Sequence, residues 1–436
     1  MSRSKRIHIG REKVDRKVVV LGLDGVAYTL LNDLMRKGYM PNLASIMEDG
    51  TFTQMQTTIP DISSVAWTSF ITGRDPGGHG IFGFTDVCPH SRGVYFTNST
   101  HISRECLWDL IGRAGKRSVI INVPATYPAR AINGVLIAGF VATDLKKAVY
   151  PRAAYEYLKG IGYRLDVDTG KSRDSMDYLI EDLNITLEKR IETIYHFWES
   201  ERWDLFIGVL TETDRINHFL WDAWGNKNHP YHRAFIDYYK KIDHFLGTLY
   251  DRFLSLSLKH PASFMMISDH GFTKVKGEVY INHWLKEEGL LAGNCLGKID
   301  VKSQAFALDQ GRIYINQGKT ARTSWELRQE LFDRLSQIKE EMPFLKGIFH
   351  KEELYHGPLL ERAPDLILLP KPGFILKGDL DKDVLLGHSP LAGTHTQDDA
   401  FFFVNDKRYF NDLKIYHITP VILEAIGLYN VLERHS

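Results

Sequence analysis

The chain reads as an α/β protein, with a mainly parallel sheet covered by helices on both faces and a smaller lobe inserted into it. Three observations carry this. The runs VVVLGL (18–23), DLFIGVL (204–210) and ASFMMIS (262–268) are continuously apolar rather than alternating, as strands buried on both faces are. Helical patterns separate such runs, so successive strands need crossover connections. The same three runs lead into Asp and His residues, at the edge where open α/β sheets collect their ligands.

The elements follow in order. The opening MSRSKRIHIGREKVDRK is polar and basic, and residues 1–16 are expected to form a solvated tail ahead of one large domain over 17–430. After the strand VVVLGL and Asp24, a helix is expected to about residue 38, then a second in PNLASIMEDG, with proline at its start and glycine at its end. TFTQMQTTI (51–59) alternates like a strand, and SSVAWTSFITG reads as a helix from Ser63 that stops at Gly73. RSVIINVP and GVLIAGF are strands. The stretch 175–200 is a long amphipathic helix, with Ile194, Phe197 and Trp198 at core spacing. The strand DLFIGVL is followed by helices over 213–224 and 231–255, then by the strand ASFMMIS. A helix in SWELRQELFDRLSQIKEEM, the strands APDLILLP and AFFFV, and a terminal helix over 418–427 complete the chain. Residues 273–395 lie between two groups of candidate ligands and are too many for a loop, so they are expected to contain the inserted lobe or cap.

Composition excludes several partner classes. Lys plus Arg equals Asp plus Glu at 54 each, so no overall field draws the chain to nucleic acid or to an anionic membrane. An anionic substrate must be held locally, for example by bound cations. Cys88, Cys106 and Cys295 are odd in number and lack CxxC spacing, which argues against a disulfide framework or a thiolate zinc site. No run of eighteen apolar residues suggests a membrane span, and the basic lead holds no apolar export segment, so the expected compartment is the cytoplasm.

The candidate ligands are Asp24, Asp214, His218, Asp269, His270 and His395. Asp214 and His218 are four apart on an expected helix and so share a face. Asp269 and His270 are neighbours, and they converge only if the strand bends where Gly271 follows them. Each has a plain alternative: Asp24 between glycines as a turn residue, Asp214 as a helix cap, His218 half-buried, DHG as a turn, His395 in a loop. All would have to hold at once, whereas mixed Asp and His donors suit two transition-metal ions. Ser63, before its helix, either caps backbone N–H groups or presents a nucleophile where the helix dipole favours a phosphate. Ser64 is free to do the capping. His79, Arg215 and Lys274 are candidate substrate contacts, with turn, solvent and surface roles as the alternatives.

LGLDGVAYTLL, MPNLASIMEDG, IPDISSVAWTSFITGRDPGGHGIFGF, TETDRINHF, SDHGF and GTHTQDD, in that order, resemble the alkaline phosphatase superfamily. The resemblance is to its branch of type I phosphodiesterases, nucleotide pyrophosphatases and related phosphohydrolases or phosphomutases, and it covers nearly the whole chain. It implies Ser63, three residues after Pro60 and ten before Gly73, as nucleophile. It implies one divalent metal ion on Asp214, His218 and His395, and another on Asp24, Asp269, His270 and the Ser63 oxygen. Zinc is the expected metal, with manganese or iron as alternatives. A sulfatase is excluded, because Val65 and Trp67 stand where that relative carries proline and arginine. The expected function is a metal-dependent phosphohydrolase of small phosphate esters, of phosphodiesterase or pyrophosphatase type, acting through a phosphoserine. The alternatives are a phosphomutase of the cofactor-independent phosphoglycerate mutase type, or a binding protein that kept the fold.

Overall fold

The structure, a computed structural model, describes residues 16–88, 93–172, 175–293, 299–316, 323–339 and 344–428. Apart from Arg16, the basic tail lies outside the described residues, as does Cys295. Eight strands form the central sheet: β1 (Lys17–Leu23), β2 (Thr51–Met55), β3 (Ser118–Val123), β4 (Gly134–Ala138), β5 (Val149–Tyr150), β6 (Leu205–Leu210), β7 (Ala262–Ile267) and β8 (Ala400–Val404). Their order is β2-β8-β7-β1-β6-β3-β4-β5. The five strands β7, β1, β6, β3 and β4 run parallel, while β8 runs against both its neighbours and β5 against β4.

The continuous apolar runs have a direct cause. Side chains alternate across a strand, and in β1 Val19, Leu21 and Leu23 enter a core shared with helices Met176–Ser200 and His232–Ser257. Val18 and Val20 enter the opposite core, with Trp67 and Phe70 of helix Ser63–Thr72 and Ile418 and Ile422 of helix Ile418–Ala425. Both faces need hydrophobic residues, each contributing about 1.5–3 kcal/mol when fully buried.

Register sets the functional edge. β1 lies between β6 and β7, with Gly22 level with both Val209 and Ile267. Continuing that register brings Asp24, Thr211 and Asp269 out of the sheet at one level. Gly22 is required here, because a Cβ would lie 2.5 Å from the Trp67 ring.

Several elements are shorter than the sequence suggests. The helix after Asp24 is Tyr28–Arg36, closed by left-handed Gly38 at φ +72°. The strand expected over 51–59 stops at Met55, and its neighbour Gln56 makes only an isolated bridge to Lys414. APDLILLP gives the strand Leu366–Pro370, which belongs to a separate sheet.

That sheet lies in a second body over residues 277–387. It is antiparallel, in the order Ala305–Leu308, Arg312–Ile315, Leu366–Pro370, Leu345–His350. Leu285, Phe306, Leu331 and Leu368 belong to a core distinct from the two around the central sheet. This body docks on the chain around the Ser63 helix: Tyr355 donates to the Ile59 carbonyl at 2.7 Å, Arg312 Nη1 donates to the Thr85 carbonyl at 2.7 Å, and Phe82 packs on Tyr355. A two-stranded antiparallel ribbon, Gly271–Lys274 with Gly393–Thr396, stands at its base.

Candidate active site

All six expected ligands and Ser63 meet at the C-terminal edge of β1, β6 and β7. Asp24 directly follows β1. Asp214 and His218 lie one turn apart on helix Glu212–Gly225, which starts just beyond β6, and His218 Nε2 is 3.3 Å from Asp214 Oδ1. The ribbon aligns Phe272 with His395, which stacks the His395 ring on His270 at 3.6 Å between centroids. Gly271 serves this convergence through close approach rather than an unusual φ, since a Cβ there would collide with Thr396 Oγ1.

Three backbone carbonyls orient the histidines. Nδ1 of His218 faces Gly393 O at 3.0 Å, Nδ1 of His270 faces Gly271 O at 3.1 Å, and Nδ1 of His395 faces Asp61 O at 2.7 Å. A carbonyl only accepts, so each Nδ1 carries a proton and each Nε2 points inward. His218 Nε2 and His395 Nε2 stand 3.0 Å apart. Asp214 Oδ1 is within 3.3–3.9 Å of all three Nε2 atoms. His270 Nε2 lies 3.2 Å from Ser63 Oγ and 3.4 Å from Asp269 Oδ2.

This donor set fits cations. Asp24 Oδ1, Asp214 Oδ1 and Asp269 Oδ2 are buried with no hydrogen-bond partner, an arrangement costly for a carboxylate unless a cation completes it. Burial, together with the charges of Asp269 and Asp214, raises the Asp24 pKa well above the carboxylate range. Burial, helped by the Asp214 charge, lifts Asp269 to about 7. Burial would also raise Asp214, but His218, His395 and Arg215 outweigh it and hold this carboxyl low. Burial depresses His218 to about 4, whereas His395 overcomes burial through its contact with Asp214 and rises to about 9. Two acids, Asp24 and Asp269, are pushed toward protonation where inward-facing nitrogens and orphaned oxygens could share metal ions instead. Among the described residues, two groups have metal-binding spacing: Asp214, His218 and His395; and Asp24, Asp214 and His270. Asp214 thus lies between the two groups.

Ser63 is the first residue of its helix, and Ile62 is the N-cap. Neither serine caps: Ser63 Oγ faces His270, and Ser64 Oγ is buried without a partner. Trp67, one turn on, donates its indole N–H to Asp24 Oδ2 at 3.0 Å and so ties the serine helix to β1. A cavity of about 100 Å³ opens here, lined by Asp24, Ser63, Asp214, His218 and His395 together with Phe84, Phe140, Thr211 and Arg215.

The three expected substrate contacts separate. Arg215 reaches the cavity wall, where Asp166 accepts from its Nε and Nη2 at 3.2 and 2.7 Å, Asp214 accepts from its Nη1 at 3.1 Å, and its guanidinium lies 4.4 Å over the Phe140 ring. His79 does not reach the cavity. It is fully buried, with Nδ1 accepting from the Ile81 N–H at 3.1 Å and Nε2 against Ser69 Oγ at 2.8 Å. Lys274 is 68% exposed, pairs with Asp222 at 3.1 Å and is not among the residues lining the cavity. Trp67, Phe84, Phe140, Asp166 and Thr211 carry no local signal that would have singled them out, because their roles depend on contacts across the fold.

The fold and this cluster define an α/β protein of the alkaline phosphatase superfamily, with buried Asp and His side chains gathered next to a serine. More narrowly, the chain belongs to the type I phosphodiesterase/nucleotide pyrophosphatase family, whose model matches residues 18–398. Solved structures agree on the fold. Phosphonoacetate hydrolase from Sinorhizobium meliloti, bound to phosphonoformate, superposes with a TM-score of 0.65 at 17% identity, over 98% of this chain and 100% of that one. Murine ectonucleotide pyrophosphatase/phosphodiesterase 5, in complex with AMP, gives 0.60 at 16% identity, over 95% and 96%. A comparison with curated protein sequences gives no match. The family supports a phosphohydrolase of phosphodiesterase/pyrophosphatase type acting on a small phosphate ester. Among the described residues, no helix is long and apolar enough to cross a membrane.

Proposed function

We propose that the protein is a two-metal phosphohydrolase in which Ser63 takes the phosphoryl group from a small phosphate ester and water then removes it. The observation that carries this is the position of Ser63: a helix N-terminal hydroxyl, 6% exposed, facing inward-turned histidine nitrogen and orphaned carboxylate oxygens. Asp24, Asp269 and His270, with Ser63 Oγ, would hold one divalent ion, and Asp214, His218 and His395 the other, zinc being the best match and manganese or iron the alternatives. When bound, such ions lower the pKa of a coordinated hydroxyl and neutralise charge on phosphoryl oxygens.

The chain's own residues supply the rest. The first-turn N–H groups of helix Ser63–Thr72 point at the serine end, where they and the dipole favour an anion. Ser63 Oγ attacks phosphorus in line, the ester oxygen departs, and a phosphoserine forms. Attack by water regenerates the serine and releases phosphate or its monoester. Arg215, aimed by the Asp166 carboxylate and the Phe140 face, contacts a non-bridging oxygen. Phe84 and Phe140, in edge contact at 5.3 Å, give the leaving group an apolar wall. The body over 277–387, docked on the serine segment, restricts which esters reach that wall. The test is turnover of bis(4-nitrophenyl) phosphate and 4-nitrophenyl phosphate by the metal-replete protein. Hydrolysis that depends on Ser63 is expected, and hydrolysis of neither probe overturns the reading.

A further inference from the structure

The cavity contains one hydroxyl with no role in the scheme above. Thr211 follows β6, is 3% exposed, and shares the cavity wall with Ser63 and Arg215. Its Oγ1 accepts from Asn122 Nδ2 at 3.0 Å, and among the described residues no acceptor takes its own proton. A buried hydroxyl whose oxygen is already held by a donor has its hydrogen left for something else, and the open space beside it is the cavity.

Asn122 is built to impose this. Its Nδ2 also donates to the Val209 carbonyl at 2.9 Å. A carbonyl cannot donate, so turning the amide over would set Oδ1 against the Val209 carbonyl; that contact fixes Nδ2 toward Thr211 and makes the hydroxyl the acceptor. The residue is fully buried in a left-handed conformation, φ +64°, which asparagine tolerates better than most residues. Gly139 packs so closely that any Cβ there would collide with the Asn122 carbonyl oxygen. Backbone strain held in place by packing beside a reactive site is the kind of outlier that points to a functional role.

The other lining groups supply few donors. Asp24 and Asp214 are carboxylates, the Nε2 atoms of His218 and His395 are engaged with Asp214 and with each other, Phe84 and Phe140 have nothing to donate, and Ser63 is the attacking group. That leaves Arg215 and Thr211. We propose that the Thr211 hydroxyl donates to a non-bridging oxygen of the phosphoryl group, and that Asn122 is the positioning residue that aims it. The inference rests on the phosphoryl-transfer reading and adds a residue to it. A neutral donor in addition to the Arg215 cation would bind the transferring group without attracting the two cavity carboxylates.

The experiment compares wild type, Thr211→Val, Thr211→Ser and Asn122→Gly, each with its metal content recorded. The readouts are kcat and KM for bis(4-nitrophenyl) phosphate and the inhibition constant for vanadate, an oxyanion that adopts five-coordinate geometry. Loss of one donor to a charged group is expected to lower kcat about 10- to 100-fold in Thr211→Val and to weaken vanadate by a similar factor, with KM and metal content little changed. Thr211→Ser should recover to within a few-fold. Asn122→Gly, which keeps the left-handed backbone but removes the amide, should show a smaller fall in kcat. Wild-type turnover with Thr211→Val unaffected, or Thr211→Ser as poor as Thr211→Val, overturns this inference alone. A wild type that neither turns over the diester nor binds vanadate overturns the phosphoryl-transfer reading and this inference with it.

Discussion

The helix Ser63–Thr72 carries a serine–histidine contact at each end, and the two differ in kind. At its C-terminal end Ser69 Oγ meets His79 Nε2 at 2.8 Å, and His79 Nδ1 accepts the Ile81 N–H. Both ring nitrogens are used inside the protein, and burial pushes the His79 pKa down to about 3. At the N-terminal end Ser63 Oγ meets His270 Nε2 at 3.2 Å, but His270 Nδ1 is turned to a carbonyl, so Nε2 offers a lone pair to a cluster holding three orphaned carboxylate oxygens. The residue types match and the second partner differs. A buried histidine satisfied on both sides stabilises the fold, whereas one with an inward lone pair among unpartnered oxygens has the chemistry of a metal ligand, the role proposed for His270.

The largest expected effect comes from exchanging the two serines' fates. Ser63→Ala should lower turnover of bis(4-nitrophenyl) phosphate by at least about 10³-fold, as loss of a nucleophile does, with metal content and thermal midpoint close to wild type. Ser69→Ala should leave turnover within a few-fold and cost about 1 kcal/mol of stability for its lost hydrogen bond. Equal turnover in the two variants would erase the distinction between the helix ends.

Histidine replacements sharpen the comparison through metal content. Alanine at His218, His270 or His395 should reduce bound metal on elemental analysis and cut activity severely, as should chelation of the wild type. His79→Ala should keep its metal but lose about 2 kcal/mol of stability, because it strands the Ile81 N–H and the Ser69 hydroxyl. Unchanged metal in all three ligand variants would show that the cluster does not bind it.

A smaller effect lies in the pH dependence of stability. The ordinary histidine pKa of 6.5 falls to about 3 at His79 in the folded protein. Between those values the unfolded chain binds the extra proton and the folded chain does not, so this group's contribution is intact above 6.5 and is lost as pH falls toward 3. Its slope is up to about 1.4 kcal/mol per pH unit. His79→Gln should flatten the acid limb of a denaturation series by part of that slope, and an unchanged limb would mean that His79 is not the closed, neutral group described here.

The sequence exposed one of these two helix ends more clearly than the other. Asp24, Asp214, Asp269 and His270 were legible because strands marked by continuous apolar runs deliver whatever follows them to one sheet edge, and the i, i+4 spacing of Asp214 and His218 needs only a helix. His395 could be named as a candidate from GTHTQD, but only the ordered motifs of the family grouped it with Asp214 and His218, since its place depends on a ribbon pairing it with Phe272, more than a hundred positions away. His79 in DPGGHGIFGF reads as a candidate pocket residue with a turn role among glycines as the alternative, and its partners Ser69 and Ile81 bury it. Thr211, Asn122 and Asp166 could not be singled out: a threonine after a strand, an asparagine inside VIINV and an aspartate in a loop acquire meaning only from atoms across the fold. The strands over 277–387 are mostly four to six residues long, too short for periodicity to define.

The most direct test of the central claim, that Ser63 and not water first attacks phosphorus, is the stereochemical course of hydrolysis of a chiral phosphorothioate diester in oxygen-18 water. Each in-line displacement inverts configuration, so two successive displacements through phospho-Ser63 predict net retention. Net inversion would show a single displacement by water and would reduce Ser63 to a neighbour of the site.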